Sequence, residues 1–458
     1  MRVALIRPPF PPPHWLIGLT RDHDFPLGIG YLAAVLARAG NEARIFDPEA
    51  ISQKQEALWA ELEKFKPDLV GITTVTPRFE VAVRLAREAK KRLGCLVVMG
   101  GPHATALPRS TLLTVKGLDA VIMGEAETSM LAVAEQFNTG GKVDFSRIPG
   151  AALFVNWKYV EVPRPEFIQD LDALPHPRRD FVNLKAYNRN RVMFGGVKSA
   201  TVISSRGCPG RCTFCANICT GRKIRLHSPG YFVGEMESLA REHGIKYFQI
   251  YDDCFTADQR HVEAVCDLIL SKGLKLKWGA FGRVNTMQDE KLLLKMKRAG
   301  CRHMLLGIES GNQHILNLMR KGTTLAAAER SCALLRKCGI AYSNSIMLGC
   351  EGETVETARD SMAFAEKLGS ELVNFVIQIP FPGTELFDKY YKDFDSPDTD
   401  WENWCSQTDN RPYPMRHTSL TMKQLVALQT EAGGRYGRSP VRFMRTVIYG
   451  LKELGLAI

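Results

Sequence analysis

SSRGCPGRCTFCANIC, residues Ser204–Cys219, sets three cysteines at CxxxCxxC spacing: Cys208, Cys212 and Cys215. That spacing suits a cuboidal iron-sulfur cluster held by only three thiolates, so that the fourth iron stays open for chemistry. A closed structural zinc site takes four ligands, usually as two short pairs, and no second CxxC or HxxxH occurs in the chain to complete one. Cys219 stands close enough to keep a four-cysteine ferredoxin arrangement open. Cys95, Cys266, Cys301, Cys332, Cys338 and Cys405 lie in apolar or helical contexts and read as packing residues.

Outward from this loop the chain organises itself by period. On the carboxyl side, strand and helix signals alternate six times, with strands near Ala200–Ser204, Tyr247–Tyr251, Leu276–Phe281, His303–Ile308, Tyr342–Leu348 and Leu372–Ile379. Six such units make an open, partial (β/α)6 TIM-like barrel over residues 197–390, with functional residues where strands end. On the amino side, residues 1–145 alternate short apolar strands (Val3–Arg7, Ala43–Phe46, Leu69–Thr73, Leu96–Met99, Ala120–Met123) with amphipathic helices, which implies a doubly wound parallel sheet. Ligands of that architecture bind beyond the carboxyl ends of the strands. There the chain places Thr73, Thr74, Gly100, Gly101, His103, Gly124 and Glu125. Between the two α/β regions, residues 146–196 lose regular periodicity and gather proline, arginine and aromatics, as a connector does; His176, Arg178 and Arg179 sit in it. Residues 391–458 read as a mainly helical extension.

Composition is that of an ordinary globular protein, 45% apolar and 24% charged over 458 residues. No run approaches the roughly 18 apolar residues that cross a bilayer. MRVALIRPPFPPP breaks at proline after a few apolar residues and reads as a first strand, not a secretory signal, so a cytoplasmic protein with reduced thiols is expected. The formal charge of +11 is dispersed, except where Arg435, Arg438, Arg442 and Arg445 interrupt apolar residues near the end. That helix is expected to be solvated or to contact the rest of the protein, with a peripheral membrane contact as the alternative.

CxxxCxxC with Phe214 before the last cysteine resembles the radical S-adenosylmethionine (SAM) enzymes, and PLGIGYLAAVL, VGITT, VMGGPHAT and DAVIMGEAE ahead of it are similar to the cobalamin-binding class of that family. The resemblance covers about residues 1–390. It implies a [4Fe-4S] cluster on Cys208, Cys212 and Cys215, SAM on its open iron as the source of a 5′-deoxyadenosyl radical, and cobalamin on the amino-terminal domain. The DxHxxG pattern that supplies a histidine below cobalt is absent: neither His14 nor His23 has the required aspartate and glycine. The resemblance further implies that Asp253 or Asp252 meets the SAM amino group, helix capping being the alternative for these acids. It implies that Arg283 points at the barrel mouth, that Glu309 contacts SAM, that Lys321 pairs with the SAM carboxylate, and that Ser345 contacts the ribose. Gly349, Gly352, Glu353 and Thr354 match its GxxGET turn, with Glu351 where relatives usually carry proline, and PFPGTEL follows the sixth strand. His103 is assigned hydrogen bonding near the corrin or a domain seam.

Methylation of an unactivated carbon or phosphorus centre is the reaction this resemblance implies first. A non-methylating cyclisation, ring contraction or oxidation is the alternative, and a tRNA methylthiotransferase a remote third that lacks its amino-terminal cysteines here. The partners implied are a small-molecule substrate, apolar or lipid-like, and an electron donor such as flavodoxin or ferredoxin, with no nucleic acid. Trp401, Trp404, Tyr413 and Tyr436 either line that substrate or pack.

Overall fold

The computed structural model describes residues 1–10, 24–51, 53–180, 182, 184–187, 198–402, 404 and 415–437. His14, His23, Cys405, Tyr413, Arg438, Arg442 and Arg445 lie outside these. The chain forms two compact units, neither of them contiguous in sequence. One comprises Met1–Tyr187, Ala216–Gly221 and Pro380–Cys405; the other comprises Asn188–Cys215, Arg222–Ile379 and Ser406–Ile458.

The first unit is built on a seven-stranded sheet in the order β2-β1-β3-β4-β5-β6-β7. Strands β1 (Arg2–Ile6), β2 (Glu42–Phe46), β3 (Leu69–Thr73), β4 (Leu96–Gly100) and β5 (Ala120–Ile122) run parallel. Order reversal about β1 is the mark of a doubly wound sheet, which places the crevice at the carboxyl ends of β1 and β3. Helices α1 (Leu27–Arg38), α2 (Gln55–Phe65) and α3 (Phe79–Leu93) follow the first three strands. In α3, Phe79, Ala82, Val83, Leu85, Ala86 and Ala89 make one buried stripe, and Gly94 in the left-handed region ends the helix. Short helices α4 (Pro102–Ala106) and α5 (Pro108–Thr114) follow β4, and α6 (Glu127–Gly140) follows β5.

The connector expected from 146 to 196 holds more structure than its composition suggested. Strands β6 (Ala151–Val155) and β7 (Lys158–Glu161) form a hairpin that extends the sheet antiparallel to β5. The start of β6 faces the core: Ala151, Ala152 and Leu153 are buried, whereas Phe154, Val155 and Trp157 are exposed. Exposed apolar residues erase the inside-outside alternation on which strand recognition rests.

The second unit is a six-stranded all-parallel sheet in sequential order. Its strands are β8 (Ser199–Val202), β11 (Tyr247–Ile250), β12 (Lys277–Gly282), β13 (Cys301–Glu309), β14 (Ala341–Leu348) and β15 (Leu372–Ile377). The two-stranded ribbon β9 (Ser205–Arg206) and β10 (Arg225–Leu226) follows β8. Helices α7 (Pro229–His243), α8 (Gln259–Ser271), α9 (Glu290–Arg298), α10 (Gln313–Leu318), α11 (Leu325–Lys337) and α12 (Val355–Leu368) come between successive strands. Sequential order with a helix after each strand is the connectivity of a partial (β/α) barrel, distinct from the reversed order of the first unit.

Alternation divides the six strands chemically. Phe248, Ile250, Trp278, Ala280, Met304 and Leu306 join the helices in one core. The intervening positions carry polar side chains, Thr201, Gln249, His303 and Ser343 among them, all buried. Helix α13 (Glu385–Tyr390) belongs to the first unit. Helix α14 (Met422–Gly437) packs Leu425, Leu428 and Ala432 into the second. Arg435 of that helix pairs with Glu366 at 3.1 Å.

Candidate functional site

The three-cysteine loop is pinned at its base by a carboxylate 48 residues away. Asp252, just past β11, accepts the backbone N–H groups of Ser204 and Ser205 on Oδ1, at 2.6 and 3.2 Å. Its Oδ2 meets the Ser204 and Ser205 hydroxyls at 2.6 and 2.7 Å. Complete burial pushes the Asp252 carboxyl up to about 6, although all four hydrogen bonds oppose the rise. This residue is therefore the loop's anchor and has no oxygen left for a SAM amino group. Capping of α8 falls to Asp258, which accepts from the His261 N–H at 2.9 Å. Asp253 is exposed, and its charge reaches Cys215.

Cys208 and Cys212 are buried and Cys215 half-buried. Burial, then the charges of Cys212, Asp253 and Cys208, push the Cys215 thiol up to about 11. The three sulfurs thus sense one another in a dry site, the situation that metal binding relieves by releasing the protons. Among the described residues no three His, Cys, Asp or Glu side chains converge where a single ion would sit. A cuboidal cluster binds each thiolate on a separate iron, so its sulfurs stand farther apart than those around one ion.

Arg283, next after β12, donates from Nη1 to Cys212 Sγ at 3.4 Å and from Nη2 to the Lys321 carbonyl. Burial lowers the guanidinium pKa; the Cys212 hydrogen bond and the Cys212, Cys208 and Cys254 thiols outweigh it and hold the group above its ordinary value. A positive charge among thiolates fits a cluster whose core is electron-rich. Phe214 packs against Ile315, Met319, Met347, Cys350 and Val376. The Thr213 N–H donates to the Met319 carbonyl at 3.0 Å and fixes the loop over this apolar floor.

Glu309 ends β13 with φ at 70°, a left-handed conformation uncommon outside glycine and a sign of local strain. Its Oε1 stands 2.6 Å from Lys321 Nζ, and both side chains are about nine-tenths buried. Gly307 makes the room: a Cβ there would lie 2.7 Å from Lys321 Nζ. Lys321 also lies 5.9 Å from the Phe214 ring centre. Cluster loop, acid and base are thus gathered at one end of the strands. Ser345 is in register between Gly307 and Asn374. Past β14, Glu353 closes the GxxGET turn, accepting the Gly349 and Cys350 N–H groups on Oε2. Burial raises the Glu353 carboxyl to about 7 against those hydrogen bonds. Gly349 and Gly352 both hold φ near 80°.

In the first unit the glycines do two different jobs. Gly101 has φ 89°, and a Cβ there would lie 2.7 Å from the Thr74 carbonyl oxygen and 2.8 Å from its nitrogen. Its smallness thus serves the packing of chain on chain. Thr74 is wholly buried, its hydroxyl donating to the Gly100 carbonyl at 2.9 Å. A Cβ on Gly100 would lie 3.1 Å from the Ile122 carbonyl. Gly124, at φ 80°, has open space around it, with only Arg164 Cδ at 3.8 Å. Its N–H donates to Thr105 Oγ1 at 3.0 Å, and Glu125 Oε2 accepts the Ile168 N–H at 3.4 Å. Thr73, the exposed Val75, Gly124 and the carboxylate of Glu125 lie just past the strand ends, where ligands of a doubly wound sheet bind.

His103, expected near the corrin or a domain seam, is enclosed by protein. Its ring lies 4.0 Å from that of Phe79 and edge-on to Trp401 at 4.9 Å, and Nδ1 is 3.1 Å from Thr76 Oγ1. Burial pushes its pKa down to about 3, so the imidazole is neutral. Trp401 and Trp404 are buried in one aromatic cluster with Phe387, Tyr391 and Phe394, and the Tyr436 hydroxyl bonds Ser370. These aromatics pack. Cys219 belongs to the first unit, its Sγ donating to Thr105 Oγ1 at 3.7 Å. Two residues escaped sequence reasoning: Asp252 as an anchor, and Cys254, whose buried thiol is raised by burial and by Cys208. The run YDDC gives no local signal for either.

A B12 binding domain matches residues 17–134, and the radical SAM superfamily matches residues 202–365. The chain is 32% identical over 391 residues to an uncharacterized methyltransferase of Pyrococcus horikoshii, covering 85% of this chain and 83% of that protein. It is 29% identical to the anaerobic magnesium-protoporphyrin IX monomethyl ester cyclase of Cereibacter sphaeroides, over 79% of this chain and 60% of that enzyme. The solved structure of the radical SAM methyltransferase TsrM from Kitasatospora setae, with tryptophan and a SAM analogue bound, superposes with a TM-score of 0.71 at 22% identity, covering 84% of this chain and 74% of TsrM. The two sheets, the thiol trio beside a cation and these likenesses agree: the chain belongs to the cobalamin-binding radical SAM enzymes, whose cofactors are a [4Fe-4S] cluster, SAM and cobalamin.

Proposed function

We propose that this enzyme transfers a methyl group to an unactivated carbon or phosphorus centre of a small molecule. The observation that carries the proposal is the joining, in one chain, of a B12-binding sheet and a loop that sets Cys208, Cys212 and Cys215 at CxxxCxxC spacing beside Arg283. Similarity to the Pyrococcus protein over most of both chains supports it. Together the bound cofactors supply a carbon radical and a transferable methyl group.

The chain's own residues bind, orient and exclude water. Cys208, Cys212 and Cys215 hold the cluster, and Asp252 fixes the position of their loop. Asp253 is assigned to the SAM amino group. Lys321, whose Nζ keeps one hydrogen bond to Glu309, provides the cation that a SAM carboxylate needs in so dry a place. Ser345 is assigned to the ribose. At the strand ends, Thr73, Val75, Gly124 and Glu125 seat the corrin, while Thr74, Gly100, Gly101 and His103 act from beneath by holding those ends. An electron donor of the flavodoxin or ferredoxin kind completes the system. No helix among the described residues is long and apolar enough to cross a membrane.

Likeness to the cyclase favours one second reading, ring formation without methyl transfer. Anaerobic reconstitution with iron, sulfide, hydroxocobalamin and SAM, followed by mass analysis, separates the two. S-adenosylhomocysteine together with 5′-deoxyadenosine supports methylation; 5′-deoxyadenosine alone supports the second reading.

A further inference from the structure

Arg283 was expected at the barrel mouth as a SAM contact, but its surroundings give it a different task. Backbone geometry pins it: its carbonyl accepts the Thr286 N–H at 3.1 Å and the Thr286 hydroxyl at 2.8 Å. Both terminal nitrogens are engaged by protein atoms, Nη1 by Cys212 Sγ at 3.4 Å and Nη2 by the carbonyl of Lys321. The approach to sulfur depends on Gly210, within the CxxxC loop. A Cβ at that position would stand 2.7 Å from Arg283 Nη1 and 3.4 Å from Cys208 Sγ. Gly210 is not among the glycines with positive φ, so its missing side chain serves space, not backbone conformation.

A fixed cation donating to a ligand sulfur acts most strongly on the cluster's charge. Adding one electron makes the cluster more negative, and a donor aimed at the thiolate stabilises that form more than the oxidised one. Partial burial keeps water from screening the effect. We propose that Arg283 is a positioning residue that raises the cluster's reduction potential through its hydrogen bond to Cys212, and that Gly210 holds open the space this contact requires. This rests on the assignment of the cluster to Cys208, Cys212 and Cys215.

The test is an anaerobic redox titration of the reconstituted full-length protein without SAM, followed by electron paramagnetic resonance. It uses the wild type, Arg283→Gln and Gly210→Ala. At the potential where the wild-type cluster is half reduced, the ratio of reduced to oxidised cluster in Arg283→Gln falls at least tenfold, a shift of about 59 mV for a one-electron couple. Gly210→Ala keeps the charge but displaces the guanidinium, and its ratio falls in the same direction by a smaller factor. It also serves should Arg283→Gln fail to hold iron. Variants with wild-type iron and sulfide content that titrate within twofold of wild type overturn the proposal. A wild type that takes up no iron and sulfide sinks the cluster assignment itself, a result distinct from unchanged potentials.

Discussion

Asp252→Ala and Asp252→Asn should behave very differently, because the two oxygens of this carboxylate do different work. Oδ1 takes both backbone N–H groups of Ser204 and Ser205, whereas Oδ2 faces two hydroxyls that can turn to donate or accept. Alanine leaves two buried N–H donors without an acceptor, at about 1–3 kcal/mol each, so the loss is about 4 kcal/mol with the hydroxyls partly re-paired. Asparagine keeps an oxygen at the Oδ1 position and presents N–H donors to the hydroxyls, at a cost of about 1 kcal/mol or less. The carboxyl sits at about 6 in the folded protein, above its ordinary 3.8. Its contribution is therefore complete below about 4 and is lost as pH rises through about 6, on the order of 3 kcal/mol. Urea unfolding across that window should show the decline in wild type and its absence in Asp252→Asn. Iron content after reconstitution reports the consequence for the loop: near wild type for asparagine, strongly reduced for alanine. Equal losses in both variants, in stability and in iron, would refute the division of labour between the two oxygens.

Cys219→Ala should retain full iron loading and 5′-deoxyadenosine formation, whereas Cys212→Ala should lose both and still bind hydroxocobalamin, as visible absorbance after desalting will show. Gly101→Ala drives a side chain into the Thr74 backbone at a positive φ; loss of corrin binding with cluster content preserved is the expected pattern. Lys321→Met strands the buried Glu309 carboxylate and should lower stability by about 3–5 kcal/mol, recovered in large part in the double variant with Glu309→Gln, by denaturant titration. Glu353 sits at about 7 against an ordinary 4.5, so its contribution is whole below about 4.5 and vanishes as pH climbs through about 7. Glu353→Gln should flatten that part of the pH–stability curve.

Both sheets were legible because their strands are short, apolar and separated by helices of clear period. The thiol loop was legible because its spacing is local. What lay beyond reading was everything set by distant contact. Asp252 looked like a SAM contact or a capping acid, since the serines it holds are 48 residues away. His103 was read as hydrogen bonding near the corrin or a domain seam, because nothing in VMGGPHAT announces that Trp401 will close over it. The hairpin from Ala151 to Glu161 was hidden by apolar residues on its exposed side, Trp157 above all, at 97% exposure. Glu309 and Lys321 were each singled out as SAM contacts, but neither their ion pair with one another nor the strained Glu309 backbone was legible; the strain arises where β13 and β14 slip register between Gly307 and Glu309.

The segment Pro380–Cys405 belongs to the B12-binding unit though it is encoded after the last strand of the other. During synthesis, Phe79 and His103 therefore leave the ribosome long before Trp401 arrives to cover them. At ~5–20 residues per second the wait is on the order of 15–60 s. For that interval the nascent vitamin-binding half shows an uncovered aromatic face to the cell. Chaperone occupancy and slow maturation of the first half should follow from gene order alone, and excising it as residues 1–187 would make that exposure permanent.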